Sequence, residues 1–146
     1  MNDFRTLSDT MLASPQITLS DLKAAKERGV TLVINNRPEG ESPDQTPGPE
    51  IEAAALAAGM QYVAIPIDHS GFSPAQVEAM HEALSKAEGK VLAYCRSGTR
   101  STFLWSLAHA SDGAEPGSIM AAAAAAGYDV SPIAGLLQQL ADGRGG

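Results

Sequence analysis

Residues 91–101 run Val-Leu-Ala-Tyr-Cys-Arg-Ser-Gly-Thr-Arg-Ser, and they hold the only cysteine of the 146-residue chain. Four residues separate Cys95 from Arg100. An apolar run delivers a thiol to a polar loop, and an arginine stands where the loop turns into a helix. Nearby cationic charge and a helix N-terminus both stabilise a thiolate and attract anions. A lone cysteine ending a strand is often a small core residue. Two arginines, three hydroxyls and a glycine after it make a poor core, so the loop is read as functional. Cys95 is the candidate nucleophile and Arg100 the candidate anion clamp. Arg96, Ser97, Gly98, Thr99 and Ser101 are the candidate substrate-binding groups.

The elements that must hold this loop alternate between strand and helix signals, which predicts an α/β fold. The expected architecture is a three-layer sandwich with a mostly parallel sheet of four or five strands between helices. Short extended segments are expected at Met11–Ala13 and Gln16–Thr18. A helix capped by Ser20 runs through Arg28 to Gly29. The β-branched run 30–35 reads as a strand buried on both faces. Residues 37–49 form a loop, 50–58 a helix, and 62–67 a strand with Pro66 near its exit. Ser73-Pro74 opens a helix whose Val77, Met80, Leu84 and Ala87 share one face. A strand at 91–94 delivers Cys95, and a helix from Arg100 to Ser111 follows. Further helices are expected at 118–126 and after Ser131-Pro132, with residues 142–146 frayed. The whole reads as one domain, 1–146.

Composition narrows the partners. The net charge of −7 argues against nucleic acid, and no apolar run is long enough for a membrane span. No basic region followed by an apolar stretch opens the chain, so the cytoplasm is the default compartment. A single cysteine excludes an internal disulfide, no His/Asp/Glu spacing suggests a metal site, and no cofactor is expected. Between Gly29 and Ser85 the only cation is Arg37, and none lies between Ser101 and Gly143. Arg96 and Arg100 therefore concentrate positive charge suited to a small anion.

Ligand sites in parallel α/β sheets gather where strands end. Three strand exits carry chemistry here: Arg37, the Asp68-His69-Ser70 stretch, and the Cys95 loop. Asp68 is a candidate general acid, with His69 the alternative. Arg37 either contacts substrate or, the favoured reading, braces the loop with Glu39. His81 and His109 are read as ordinary helix residues and Trp105 as core.

Loop length and flanks carry a resemblance. In protein tyrosine and dual-specificity phosphatases five residues separate the cysteine from the arginine, and a histidine precedes the cysteine, where this chain has Tyr94. The six-residue stretch Cys95–Arg100 instead resembles the active loop of single-domain rhodaneses. Over about Thr10 to Gly127, the segments Val33–Glu41 and Leu92–Ser101, with Gly127-Tyr128-Asp129, resemble the phosphatase-like domain of beta-lactamase hydrolase-like proteins. Asn36 departs from the leucine expected before Arg-Pro-Glu-Gly. The resemblance implies a dual-specificity-phosphatase-like fold and either phosphatase or sulfurtransferase activity. It also implies a persulfide dioxygenase-like protein as a partner.

The expectation drawn from the short loop is a rhodanese-type sulfurtransferase. Cys95 would take sulfane sulfur from thiosulfate or a low-molecular-weight persulfide and pass it to an external thiol acceptor. The alternative is a cysteine-dependent phosphatase working through a Cys95 phosphothioester with Asp68 as acid. A third reading, a non-catalytic anion-binding module, leaves the thiol without a purpose.

Overall fold

The computed structural model describes residues 3–68 and 71–145, with side chains described as far as Asp142. Its centre is a five-stranded sheet in the order β1-β2-β5-β3-β4. Strands β2 (Met11–Ser14), β5 (Lys90–Tyr94), β3 (Val30–Asn35) and β4 (Gln61–Ala64) run parallel, and β1 (Arg5–Ser8) pairs antiparallel with β2. The fold is thus α/β with a mostly parallel sheet, as the alternation of signals predicted.

The pleat of β5 divides the core. Leu92 and Tyr94 pack with Leu22, Ala25, Ile51 and Ala55, from α1 (Leu19–Glu27) and α2 (Gly48–Ala57). Val91 and Ala93 face the opposite layer. That layer is built from α3 (Pro74–Lys86), α4 (Thr99–Ser111), α5 (Pro116–Ala125) and α6 (Ala134–Gly145). Alternate side chains of one strand point to opposite faces, so five residues of β5 tie both layers to the loop that follows. Strands β3 and β5 are buried along nearly their whole length, which explains their unbroken apolar runs.

Several boundaries differ from expectation. Gln16–Thr18 is not a strand; Thr18 instead caps α1, its backbone N–H donating to Asp21 at 2.9 Å. The edge strand β1 was missed. Only Leu7 of its four residues is buried, too little for a hydrophobic alternation. Strand β4 ends at Ala64, before Pro66, which has no N–H to give to a ladder. A 3₁₀ turn at Ser131–Ile133 precedes α6. Helix α6 runs Ala134–Gly145, and Gln138 donates to the Asp142 carboxylate across one turn at 2.8 Å. Trp105 is buried in the core and its ring meets His109 edge-on at 4.8 Å, as its packing role requires.

Candidate functional site

Strand β5 delivers Cys95 to the carboxyl end of the sheet with its side chain buried. The loop stays tied to the neighbouring strand: Cys95 N–H donates to Ser14 C=O at 3.3 Å, and Gln16 N–H to Arg96 C=O at 3.2 Å. Gly98 then adopts φ +93°, a left-handed conformation that a residue with Cβ enters at a cost, and caps α4. This turn reverses the chain so that Gly98 N–H donates to Cys95 Sγ at 3.1 Å. Thr102 closes the turn from the helix side, its hydroxyl donating to Gly98 C=O at 2.8 Å. The thiol therefore sits at the positive end of a 13-residue helix, against an inward-pointing amide.

Arg100, in the first turn of α4, lies beside the thiol. Its Nη1 and Nη2 donate to Glu41 Oε2 and Oε1, each at 2.8 Å, and Nη1 donates also to Ile67 C=O at 2.7 Å. These bonds to described residues occupy three of the five guanidinium donors; Nε and one Nη2 hydrogen form the remaining edge. The Glu41 carboxylate, with a smaller contribution from Cys95, holds the Arg100 pKa above its ordinary value against the effect of burial.

Arg37 does not brace through Glu39. Its Nε donates to Glu41 Oε1 at 2.9 Å, its Nη1 to Gln16 Oε1 at 2.9 Å and its Nη2 to Ser42 Oγ at 2.9 Å. Glu39 turns the other way and accepts Gly48 N–H at 2.7 Å, at the start of α2. The backbone puts Glu41, one helical-turn spacing from Arg37, on the side of the loop that faces α4. Arg37, only 4 % exposed, is thereby built into the floor of the site.

Asp68 follows Ile67, the residue whose carbonyl Arg100 holds, so the second strand exit is pinned to the clamp. Asp68 is exposed, and its C=O accepts Gly71 N–H at 3.2 Å. His69 lies outside the described residues. Ser97 and Thr99 bond to each other, hydroxyl to hydroxyl at 2.9 Å, on the exposed side of the loop. Arg96 is exposed and near Asp44, whose carboxyl it helps hold below its usual range after Ser42, the backbone and Arg37. Ser101 is fully buried, and its Oγ has no hydrogen-bond partner among the described residues.

Among the described residues, Arg37, Ile67 and the Cys95 loop are thus linked on one rim through Glu41 and Arg100. Glu41, Gln16 and Tyr128 are the site residues that reading the sequence left without a role. Tyr128 Oη donates to Ser97 C=O at 3.1 Å. Glu41 had a signal, since it is an acid four positions after the only cation in its stretch.

The chain as a whole is similar to known proteins. The family model for the beta-lactamase hydrolase-like protein, phosphatase-like domain, matches residues 3–112. The chain belongs to that family. A beta-lactamase hydrolase-like protein of Agrobacterium fabrum is 34 % identical over 107 residues, which are 73 % of this chain and 25 % of that protein. The chain therefore spans about a quarter of the length of this curated relative. Among solved structures, a "putative phosphatase" of Neisseria meningitidis is 28 % identical with a TM-score of 0.84, covering 96 % of this chain and 99 % of that one. Kinase associated phosphatase, solved with its catalytic cysteine replaced by serine, shares the fold at 17 % identity and a TM-score of 0.73, covering 99 % and 96 %. The architecture is thus that of the protein tyrosine and dual-specificity phosphatases. The relatives back the phosphatase alternative over the sulfur transfer that the short loop suggested. No helix among the described residues is long and apolar enough to cross a membrane.

Proposed function

We propose that this domain is a cysteine-dependent phosphatase acting on phosphomonoesters. The carrying observation is the Cys95 sulfur against Gly98 N–H at the start of α4, with Arg100 pinned alongside. In a phosphatase-like family, that arrangement fits in-line attack on phosphorus.

The Cys95 thiolate attacks the phosphorus, an S–P bond forms, and the ester P–O bond breaks. The departing oxygen takes a proton from the Asp68 carboxyl, a contribution of typically 10²–10⁴-fold in rate. Water then attacks the phosphothioester and gives its proton to the Asp68 carboxylate. The S–P bond breaks, and inorganic phosphate and the thiolate are released. Throughout, the remaining Nε–Nη2 edge of Arg100 offers two parallel donors to two phosphoryl oxygens, and the loop amides offer more. Arg96, on the exposed side, attracts the anion. Ser101, buried in the first turn of α4 with its Oγ unpartnered among the described residues, is proposed to donate to the sulfur as it leaves phosphorus. Arg37 acts through Glu41 rather than on substrate.

One observation favours the second reading, sulfur transfer to an external thiol through a Cys95 persulfide. Only four residues separate Cys95 from Arg100, and no histidine precedes the cysteine. Intact mass spectrometry separates the two. A rapid quench with an aryl phosphate should trap a phosphoryl adduct on Cys95, and incubation with thiosulfate should leave the mass unchanged. A gain of one sulfur that thiol removes, with no phosphoryl adduct and no phosphate release, would overturn the phosphatase assignment. A persulfide dioxygenase-like partner belongs with that second reading.

A further inference from the structure

The peptide joining Ser97 to Gly98 is a single planar unit, and a trans amide directs its C=O and N–H in opposite directions. Both ends are held. The C=O accepts from Tyr128 Oη at 3.1 Å, and the N–H donates to Cys95 Sγ at 3.1 Å. Turning this peptide over would aim a carbonyl oxygen at the sulfur and at any bound anion, replacing attraction with repulsion. Glycine at the left-handed position makes such a turn sterically easy, so the orientation needs an anchor.

Tyr128 has the properties of one. It is 7 % exposed, and its backbone N–H is fixed to Ala123 C=O at 2.9 Å at the end of α5. Its ring end fills the space where a Cβ on Gly98 would fall. On its other side the Arg5 guanidinium lies 5.1 Å from the ring centroid, a cation–π contact. Gly127, at φ +94°, leaves room for that arginine: a Cβ there would come within 2.8 Å of Arg5 Nη1. The antiparallel edge strand and the α5 terminus thus converge on one hydroxyl. Tyr128 also lies beyond residues 3–112, the segment matched to the family.

We propose that Tyr128 is a positioning residue that locks the Ser97–Gly98 peptide in the orientation serving Cys95. It acts through the amide and touches no substrate. The proposal rests on Cys95 being the reacting group and holds for phosphorus or sulfur chemistry alike.

The test is Tyr128→Phe in the full chain, which keeps the ring against Gly98 and Arg5 and deletes only the donor. Two readouts need no substrate. The first is the pH profile of Cys95 alkylation by iodoacetamide, unambiguous in a chain with one cysteine. Losing an aligned amide donor to a charged sulfur should move that profile upward by about one pH unit. The second is the Gly98 amide resonance, which should leave its wild-type position and no longer respond when Cys95 is alkylated. A superimposable profile and an unmoved Gly98 resonance would overturn the proposal. Should Tyr128→Phe fail to fold, Arg5→Met, which loosens the ring from the far side, should give a smaller upward shift; an unchanged profile there counts equally against it. A wild-type protein with no ester hydrolysis but with both effects intact would sink the phosphatase assignment and leave the role of Tyr128 standing.

Discussion

Glu41 and Arg100 stand 59 positions apart in the chain and meet end to end, both carboxylate oxygens on the two terminal nitrogens at 2.8 Å. Glu41 is shared, since Arg37 Nε reaches one of the same oxygens at 2.9 Å. Two guanidinium groups around one carboxylate leave a net positive charge at the rim. The shared carboxylate therefore fixes the angle of Arg100 without cancelling the field that draws an anion. Glu41→Gln should lower kcat/KM for an aryl phosphate about tenfold, the scale of one lost charge-assisted hydrogen bond. Steady-state kinetics check this, and a rise in kcat/KM would mean that Glu41 restrains the clamp.

The same pair carries a pH dependence. Hydrogen bonding from Arg100, reinforced by Arg37, holds the Glu41 carboxyl below its usual value of 4.5. A carboxylate with a depressed folded-state pKa stabilises the protein above its unfolded value and loses that contribution as pH falls through the folded one. Thermal melts should therefore show the wild type more stable than Glu41→Gln at neutral pH. The gap should narrow below about pH 4.5. A gap that stays constant down to strong acid would assign the difference to packing.

Gly98 has no tolerable substitute at its φ of +93°. A methyl group there meets the Tyr128 hydroxyl and lies 3.3 Å from the Ser14 carbonyl carbon. Gly98→Ala should cost about 1–3 kcal/mol from backbone strain alone, with more from displacing Tyr128. Urea unfolding measures it. A loss under about 0.5 kcal/mol, the scale of a neutral surface change, would show that the loop relaxes without cost.

Local signals made much of this fold readable. The β-branched run of β3, the Ser73-Pro74 start of α3 and the polar loop after β5 each declare themselves within a few residues. The Ser73 cap appears as expected, with Gln76 N–H on its hydroxyl at 3.2 Å. What failed depends on distance or on an edge. Strand β1 is held by pairing with β2, not by its own pattern. The partner of Arg37 was misjudged by two residues, because the course of residues 37–48 decides which glutamate faces α4. Tyr128 reaches the loop across 31 positions, a contact that no local periodicity encodes. The positions of Cys95 and Arg100 in the fold were legible because a strand, a turn and a helix start fix their neighbours.

Cys95→Ser should fold normally and still bind phosphate at the loop, since Gly98 N–H can donate to a serine Oγ as it does to Sγ. Turnover of any phosphomonoester should vanish, because an alcohol at neutral pH is a far weaker nucleophile than a thiolate. Phosphate release assays check it. Retention of more than about a tenth of wild-type turnover would exclude a covalent intermediate on this residue.

Asp68→Asn tests where the leaving-group proton comes from. Asp68 directly follows Ile67, whose carbonyl is held by Arg100 at 2.7 Å, so its backbone is tied to the anion clamp. An alkyl phosphate leaves as a strongly basic alkoxide and needs that proton, whereas a nitrophenolate leaves without it. The substitution should therefore cost about 10²-fold or more with an alkyl ester and much less with the activated aryl ester. Comparing kcat/KM for the two esters in both proteins isolates the effect from any general loss of structure. Equal losses on both esters would remove Asp68 from the acid role. If sulfur transfer from thiosulfate were the reaction, departing sulfite would need no proton, and Asp68→Asn should change that rate less than about threefold.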